Sequence, residues 1–241
     1  MAKTSDFHRS EMLNYFMSKF GHFMNNAIMR NIIGQRRSSF RFDEIIAQRK
    51  ILLVNLSKGK IGDMNAQMLG LIVVAKLQAA ILKRARQETS ERVPFYLYVD
   101  EFQNFITDTF ASMLSESRKY GLGVHLTNQY FGQMPKKIQD AVLGNTGTML
   151  VLAVSAEDTE ILSKEFIPFT KEDFITLPRF HFYVKLMVQG KTTDAFSGVS
   201  LPPAPEEAAD ANTAERVLRL SRLAYGFPKM FVDELIRAHM K

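Results

Sequence analysis

Two adjacent carboxylates, Asp100 and Glu101, close the apolar run Pro94-Phe95-Tyr96-Leu97-Tyr98-Val99 and precede Phe102-Gln103-Asn104-Phe105. Acids delivered by a strand end can act as a pair, one holding Mg2+, usually through water, and the other polarising an attacking water. The run is short and rich in Val, Tyr and Phe, which predicts a strand covered on both faces, as in a parallel sheet. Side chains alternate along a strand, so the two acids are expected to point in different directions. An ordinary strand end with solvated acids satisfies the same short pattern.

Other chemistries are narrowed by composition. The chain has no cysteine, which removes thiol catalysis, disulfides and Cys-ligated zinc,. His8, His22, His125, His181 and His239 show no metal-ligand spacing,. With 241 residues, 46% apolar and 23% charged, the sequence is that of a globular chain with room for a large core,. A formal charge of +6 permits a polyanionic partner without requiring one, because the cations are dispersed,. No secretory segment opens the sequence, and the apolar run Met68 to Ala75 is far shorter than the roughly 20 residues of a membrane helix. A cytoplasmic location is expected.

The elements that must position the acids follow from periodicity. From Ser10 to Ile33 apolar residues recur at three- and four-residue steps, as on a helix face, with Gly21 as a point of division into two helices and Gly34 as the stop. Asp43 to Ala47 reads as a helical turn, and Lys50 to Leu56 as a second strand. The loop Ser57-Lys58-Gly59-Lys60-Ile61-Gly62 and a long helix from about Asp63 to Gln87 then lead to the acid-bearing strand, a βαβ unit. A helix from about Asp108 to Tyr120, capped by Gly121, precedes a strand at Leu122 to Leu126 that ends in Thr127-Asn128-Gln129-Tyr130. Two strands thus aim polar groups at one sheet edge, where open α/β sheets bind ligands.

Further on, Lys136 to Leu143, Ala156 to Phe166 and Lys171 to Thr176 read as helices and Met149 to Val154 as a strand. Phe180 to Val188 and Thr193 to Phe196 read as a hairpin. Residues 201–212, with Pro202, Pro203 and Pro205, have linker composition. The tail, 213–241, reads as two helices carrying Arg216, Arg219 and Arg222 on a solvated face.

A phosphate loop, G-x-x-x-x-G-K-[ST], does not occur. Lys185 to Thr192 ends correctly but has Lys185 in place of the first glycine, and it lies in a hairpin instead of between a strand and a helix.

Ile51 through Gly62, the strand ending in Asp100-Glu101-Phe102-Gln103-Asn104, Glu116-Ser117-Arg118-Lys119-Tyr120-Gly121 and Thr127-Asn128-Gln129-Tyr130 together resemble the type IV secretion coupling proteins. These belong to the wider HerA/FtsK group of hexameric DNA-pumping ATPases. The resemblance covers about Glu11 to Pro203, with a related Ser-Arg-x-x-Tyr-Gly pattern at Ser221 to Gly226. It implies an α/β fold: part of a RecA-like P-loop NTPase core, with a mostly parallel sheet, helices on both faces and an antiparallel hairpin at one edge. It implies that 1–200 is the carboxyl-terminal portion of that domain, containing its Walker B strand and lacking its Walker A loop.

The resemblance also implies residue roles: Asp100 for Mg2+, Glu101 for the hydrolytic water, Gln129 for sensing the γ-phosphate of ATP, and Arg118 as an arginine finger toward a neighbouring subunit. The implied partners are DNA, further copies in a hexamer, and secretion-system or relaxosome proteins. Membrane association would come from a separate amino-terminal part or from partners. A chain without the phosphate loop is expected to hydrolyse ATP negligibly alone. The alternative is a non-catalytic module that docks onto a complete secretion ATPase or a partner.

Overall fold

Residues 26–203, 205 and 210–239 are described in the computed structural model. Most of the periodic stretch beginning at Ser10 lies outside them. In chain order the helices and strands are α1 (Ala27–Ile33), α2 (Phe42–Ala47), α3 (Lys58–Ile61), α4 (Asp63–Leu82), β1 (Phe95–Val99), α5 (Asp108–Glu116), β2 (Leu122–Leu126) and α6 (Lys136–Asn145). They continue with β3 (Met149–Val151), α7 (Ala156–Glu165), α8 (Lys171–Ile175), β4 (His181–Lys185), β5 (Met187–Val188), β6 (Lys191–Thr192), β7 (Phe196–Val199), α9 (Ala211–Tyr225) and α10 (Lys229–His239). Short 3-10 turns follow α4, β1 and α5 at Lys83–Arg86, Phe102–Phe105 and Ser117–Tyr120. The chain divides into two compact units, Met1–Ile72 with Asp210–Lys241, and Val73–Ala209.

In the first unit, Asn26 starts α1 by accepting the backbone N–H groups of Ile28 and Met29 at 3.0 and 3.1 Å,. Gly34 ends it, as its position after the periodic run predicts. A methyl group on Gly34 would lie 2.5 Å from the Arg30 carbonyl oxygen and 2.8 Å from Ile236 Cδ1. Glycine is therefore what lets α10 approach α1 here. Buried Met29, Val232 and Ile236 supply apolar surface, and Arg30 pairs with Asp233 at 3.5 Å.

The expected strand at Lys50 to Leu56 does not form; the segment is irregular, with Ile51 and Leu53 89% and 79% exposed. β-branched content makes a run competent for a strand, but its N–H and C=O groups still need a neighbouring strand. Among the described residues no strand pairs with this run, so the anticipated βαβ unit is absent there. Part of the following loop is the single turn α3, where Lys58 pairs with Asp63 at 2.8 Å.

Helix α4 with its 3-10 extension, Asp63–Arg86, is long and apolar enough to cross a membrane by length and composition. Core helices of soluble proteins meet the same criterion, and Ala66, Val74, Leu77, Ala80 and Ile81 are buried. The run Met68 to Ala75 understates this helix because small and polar residues interrupt its hydropathy without interrupting its packing.

In the second unit β1 and β2 are parallel, with Phe95 opposite Leu122 and Val99 opposite Leu126. The expectation of a strand covered on both faces fails for β1, since Tyr96 and Tyr98 are 59% and 72% exposed. Their rings meet β2 at its surface: Tyr98 stacks on His125 at 4.3 Å, and Tyr96 covers Gly123, where a Cβ would come within 2.7 Å of its ring. Tyrosine tolerates this half-wet position because one end of the ring system is polar. Toward the interior, Val99, Leu122, Phe102, Phe110 and Met113 are buried, with Phe102 stacked on Phe110 at 5.9 Å.

The fold is mixed α/β, but the sheet is not mostly parallel. The remaining strands are antiparallel, in the order β3-β4-β7 and as the small hairpin β5-β6. Here Val151, Leu162, Phe166, Phe174 and Tyr183 make one apolar cluster, in which Phe166 and Phe174 meet edge to face at 5.9 Å. Helix α8 enters through a capping box, Thr170 and Asp173 bonding each other's backbone N–H,. Lys185 to Thr192 is a hairpin, with Gln189 and Gly190 both at positive φ as a tight primed turn requires,. A phosphate loop would instead join a strand to a helix.

Candidate functional site at the ends of β1 and β2

The parallel pairing brings the polar ends of the two strands to one edge. Thr127 donates its backbone N–H to Val99 O at 3.0 Å, and Phe102 donates to Thr127 O at 3.1 Å, so the ladder continues just past both strands. Asp100 and Glu101 lie in this extension. Glu101 adopts φ 50, ψ 46, a left-handed conformation uncommon for a residue with a side chain,. The turn is held by Phe102, 1% exposed beneath it, and by Asn104, whose backbone N–H and Nδ2 both donate to Glu101 O at 3.0 Å.

The acids engage different partners; both lie beyond β1, where the left-handed turn at Glu101 and not strand alternation sets their directions. Asp100 Oδ1 accepts the Glu101 backbone N–H at 3.0 Å and the Thr127 hydroxyl. Asp100 Oδ2 has no partner among the described residues, and the residue is exposed. Glu101 Oε1 accepts Gln129 Nε2 at 2.6 Å, and its Oε2 accepts Gln103 Nε2. Asp100, Glu101 and Gln129 are therefore one hydrogen-bonded constellation, while Thr127 and Gln103 join it without having been assigned roles from sequence. Their signal was spacing alone: Thr127 directly follows β2, and Gln103 follows Glu101 by two residues.

Arg118 is elsewhere. It is exposed in the 3-10 turn before β2 and makes no ion pair with a described residue. It precedes β2 and Gln129 follows β2, so the two lie toward opposite ends of that strand.

Asp158 in α7, also not singled out by sequence, is 2% exposed and accepts the backbone N–H groups of Gly132 and Phe131 at 2.6 and 3.2 Å. It fastens the loop that carries Gln129 away from β2.

Among the described residues no group of three or more His, Cys, Asp or Glu side chains could hold a metal. Asp100 offers a single free carboxylate oxygen. Such a donor set does not suit an autonomous metal centre, but it fits a mostly hydrated Mg2+ that arrives with polyphosphate, which needs only one or two protein carboxylates. A cleft of about 350 Å3 in the first unit, lined by Ile28, Asn31, Ile32, Phe227 and Val232 among others, contains none of these site residues.

Residues 94–167, from the start of the acid-bearing run to just beyond α7, match the family model described as the TraM recognition site of TraD and TraG. The match supports reading this stretch as part of the carboxyl-terminal region of a conjugation coupling protein. No curated protein matches the chain.

Proposed function

We propose that this chain supplies the acidic half of the nucleotide-hydrolysing centre of a DNA-translocating coupling ATPase used in conjugation or type IV secretion. The observation that carries the reading is the Glu101–Gln129 hydrogen bond at 2.6 Å, made beside Asp100 at the end of a parallel strand pair. In this reading the second unit derives from a RecA-like core. Bound Mg2+-ATP supplies the phosphoryl group and a cation that neutralises its charge. Asp100 would hold that cation, Glu101 would align and polarise the attacking water, and Gln129 would sense the terminal phosphate.

Arg118, without an ion pair among the described residues and at the far end of β2, serves a neighbouring copy in a ring, which the resemblance makes a homo-hexamer. These 241 residues contain no phosphate loop, so hydrolysis calls for a segment that carries one, on the cytoplasmic side of a membrane reached through that segment or partners. The test is Mg2+-ATP hydrolysis after mixing the chain with a separately expressed phosphate-loop segment of a coupling ATPase. Turnover that appears on mixing and disappears with Glu101→Gln supports the reading. Turnover that survives Glu101→Gln refutes it.

A second reading is an interaction module for a relaxosome protein of the TraM type. It is favoured by the description of the family model matching 94–167 and by the exposed Val217, Leu218 and Leu220 of α9. Saturable binding of TraM without nucleotide, unchanged by Glu101→Gln and unaccompanied by ATPase activity on mixing, would favour it.

A further inference from the structure

Gln103 is held in an orientation that leaves one of its own polar atoms unpaired. Its Nε2 donates to Glu101 Oε2, while its own Oε1 is enclosed without a hydrogen-bond partner. Enclosing an unpaired carbonyl is unfavourable, and a bond to an ionised carboxylate is among the few interactions strong enough to offset it. Turning the amide over would set Oε1 against the carboxylate, so the orientation is fixed by Glu101. The second amide on Glu101 differs. Gln129 is solvent-exposed and belongs to the end of β2, whereas Gln103 sits in the 3-10 turn that Asn104 ties to the Glu101 carbonyl.

We infer that Gln103 is a positioning residue, the fixed arm of a two-amide clamp on Glu101. It holds the carboxylate in place through Oε2 while the exposed Gln129 arm leaves Oε1 for a phosphate oxygen, opening Oε1 to water. In the resting chain each of the two amides engages one oxygen of Glu101. This inference rests on the hydrolytic reading of Glu101 above, and its first test does not depend on that reading.

The side-chain amide signals of the 15N-labelled chain report the clamp directly. The Gln103 pair is expected apart from the bulk glutamine signals, to return to them in Glu101→Ala, and to persist in Gln129→Ala. A Gln103 pair at the bulk position in the wild-type chain, or one unmoved by Glu101→Ala, overturns the inference whatever the enzymology. In the mixed ATPase, Gln103→Met keeps the side-chain length, removes the donor and removes the unpaired carbonyl, so its Tm should not fall. Its kcat should fall about 10- to 100-fold at unchanged KM for ATP, the size of loss seen when an orienting partner is removed. Wild-type kcat in Gln103→Met, with Glu101→Gln inactive, overturns the clamp and leaves the hydrolytic reading standing. Activity that survives Glu101→Gln overturns both.

Discussion

Asp158 reaches from α7 to the backbone N–H of Gly132 at 2.6 Å, three residues beyond Gln129, and it does so from a position 2% exposed to solvent. A buried carboxylate that accepts two backbone N–H groups acts as a fastener for the loop. Asp158→Ala leaves both donors unpaired and is expected to cost about 2–3 kcal/mol, lowering Tm by several degrees. Asp158→Asn should cost less, because its amide oxygen can keep one of the two bonds. An unchanged Tm in Asp158→Ala would remove the fastening role.

Gly34 predicts a steric effect in the first unit. A Cβ there meets the Arg30 carbonyl oxygen at 2.5 Å and Ile236 Cδ1 at 2.8 Å. Gly34→Ala should therefore destabilise by about 1–3 kcal/mol, the usual cost of overpacking. Combining it with Ile236→Val, which retracts the Cδ1 methyl, should recover part of that loss. Chemical denaturation of the two single variants and the double variant gives the coupling, and strict additivity would mean that the two residues do not meet.

Exposed Ile51 and Leu53 lead to a prediction about solubility and not about folding. An apolar run rich in β-formers, carrying unpaired backbone groups, is a template for association between chains. Replacing both residues with Glu should change stability by no more than about 0.5 kcal/mol while reducing association measured by light scattering. A cooperative loss of structure on substitution would show that the run is packed in solution.

The capping box of α8 sets a pH dependence. The backbone N–H and hydroxyl of Thr170 hold the Asp173 carboxyl below its ordinary value. A group whose pKa is depressed by folding contributes stability above its unfolded pKa and loses it as pH falls through the folded one. The contribution is therefore complete above about pH 4, the ordinary Asp value, and fades on further acidification. Protection from hydrogen exchange at Thr170, taken relative to the intrinsic rate at each pH, should fall across that window in the wild-type chain and show no such step in Asp173→Asn.

Most helix positions were legible because caps and periodicity are local. Gly121 ends the helical turn before β2 at φ 73 and Gly34 ends α1, whereas Asn26, which starts α1 with an extended backbone inside the stretch read as a helix face, was not anticipated. The Lys50 to Leu56 run was misread because strand formation is decided by a neighbour, which β-propensity at Ile51 and Val54 does not report. Tyr96 and Tyr98 misled for a related reason, since tyrosine suits a buried or a half-wet face equally well. That Asp100, Glu101 and Gln129 come to one sheet edge was legible from strand ends in parallel register. Gln103 and Asp158 were not, because their importance lies in bonds to Glu101 and to the Gly132 backbone that spacing alone does not reveal.

The left-handed backbone at Glu101 sets durability against chemistry at a single position. A non-glycine residue held there carries a conformational cost of roughly 1–2 kcal/mol, which glycine would avoid. Glu101→Gly would relax the turn while deleting the carboxylate, so selection for robustness alone would drift toward the residue that ends the clamp.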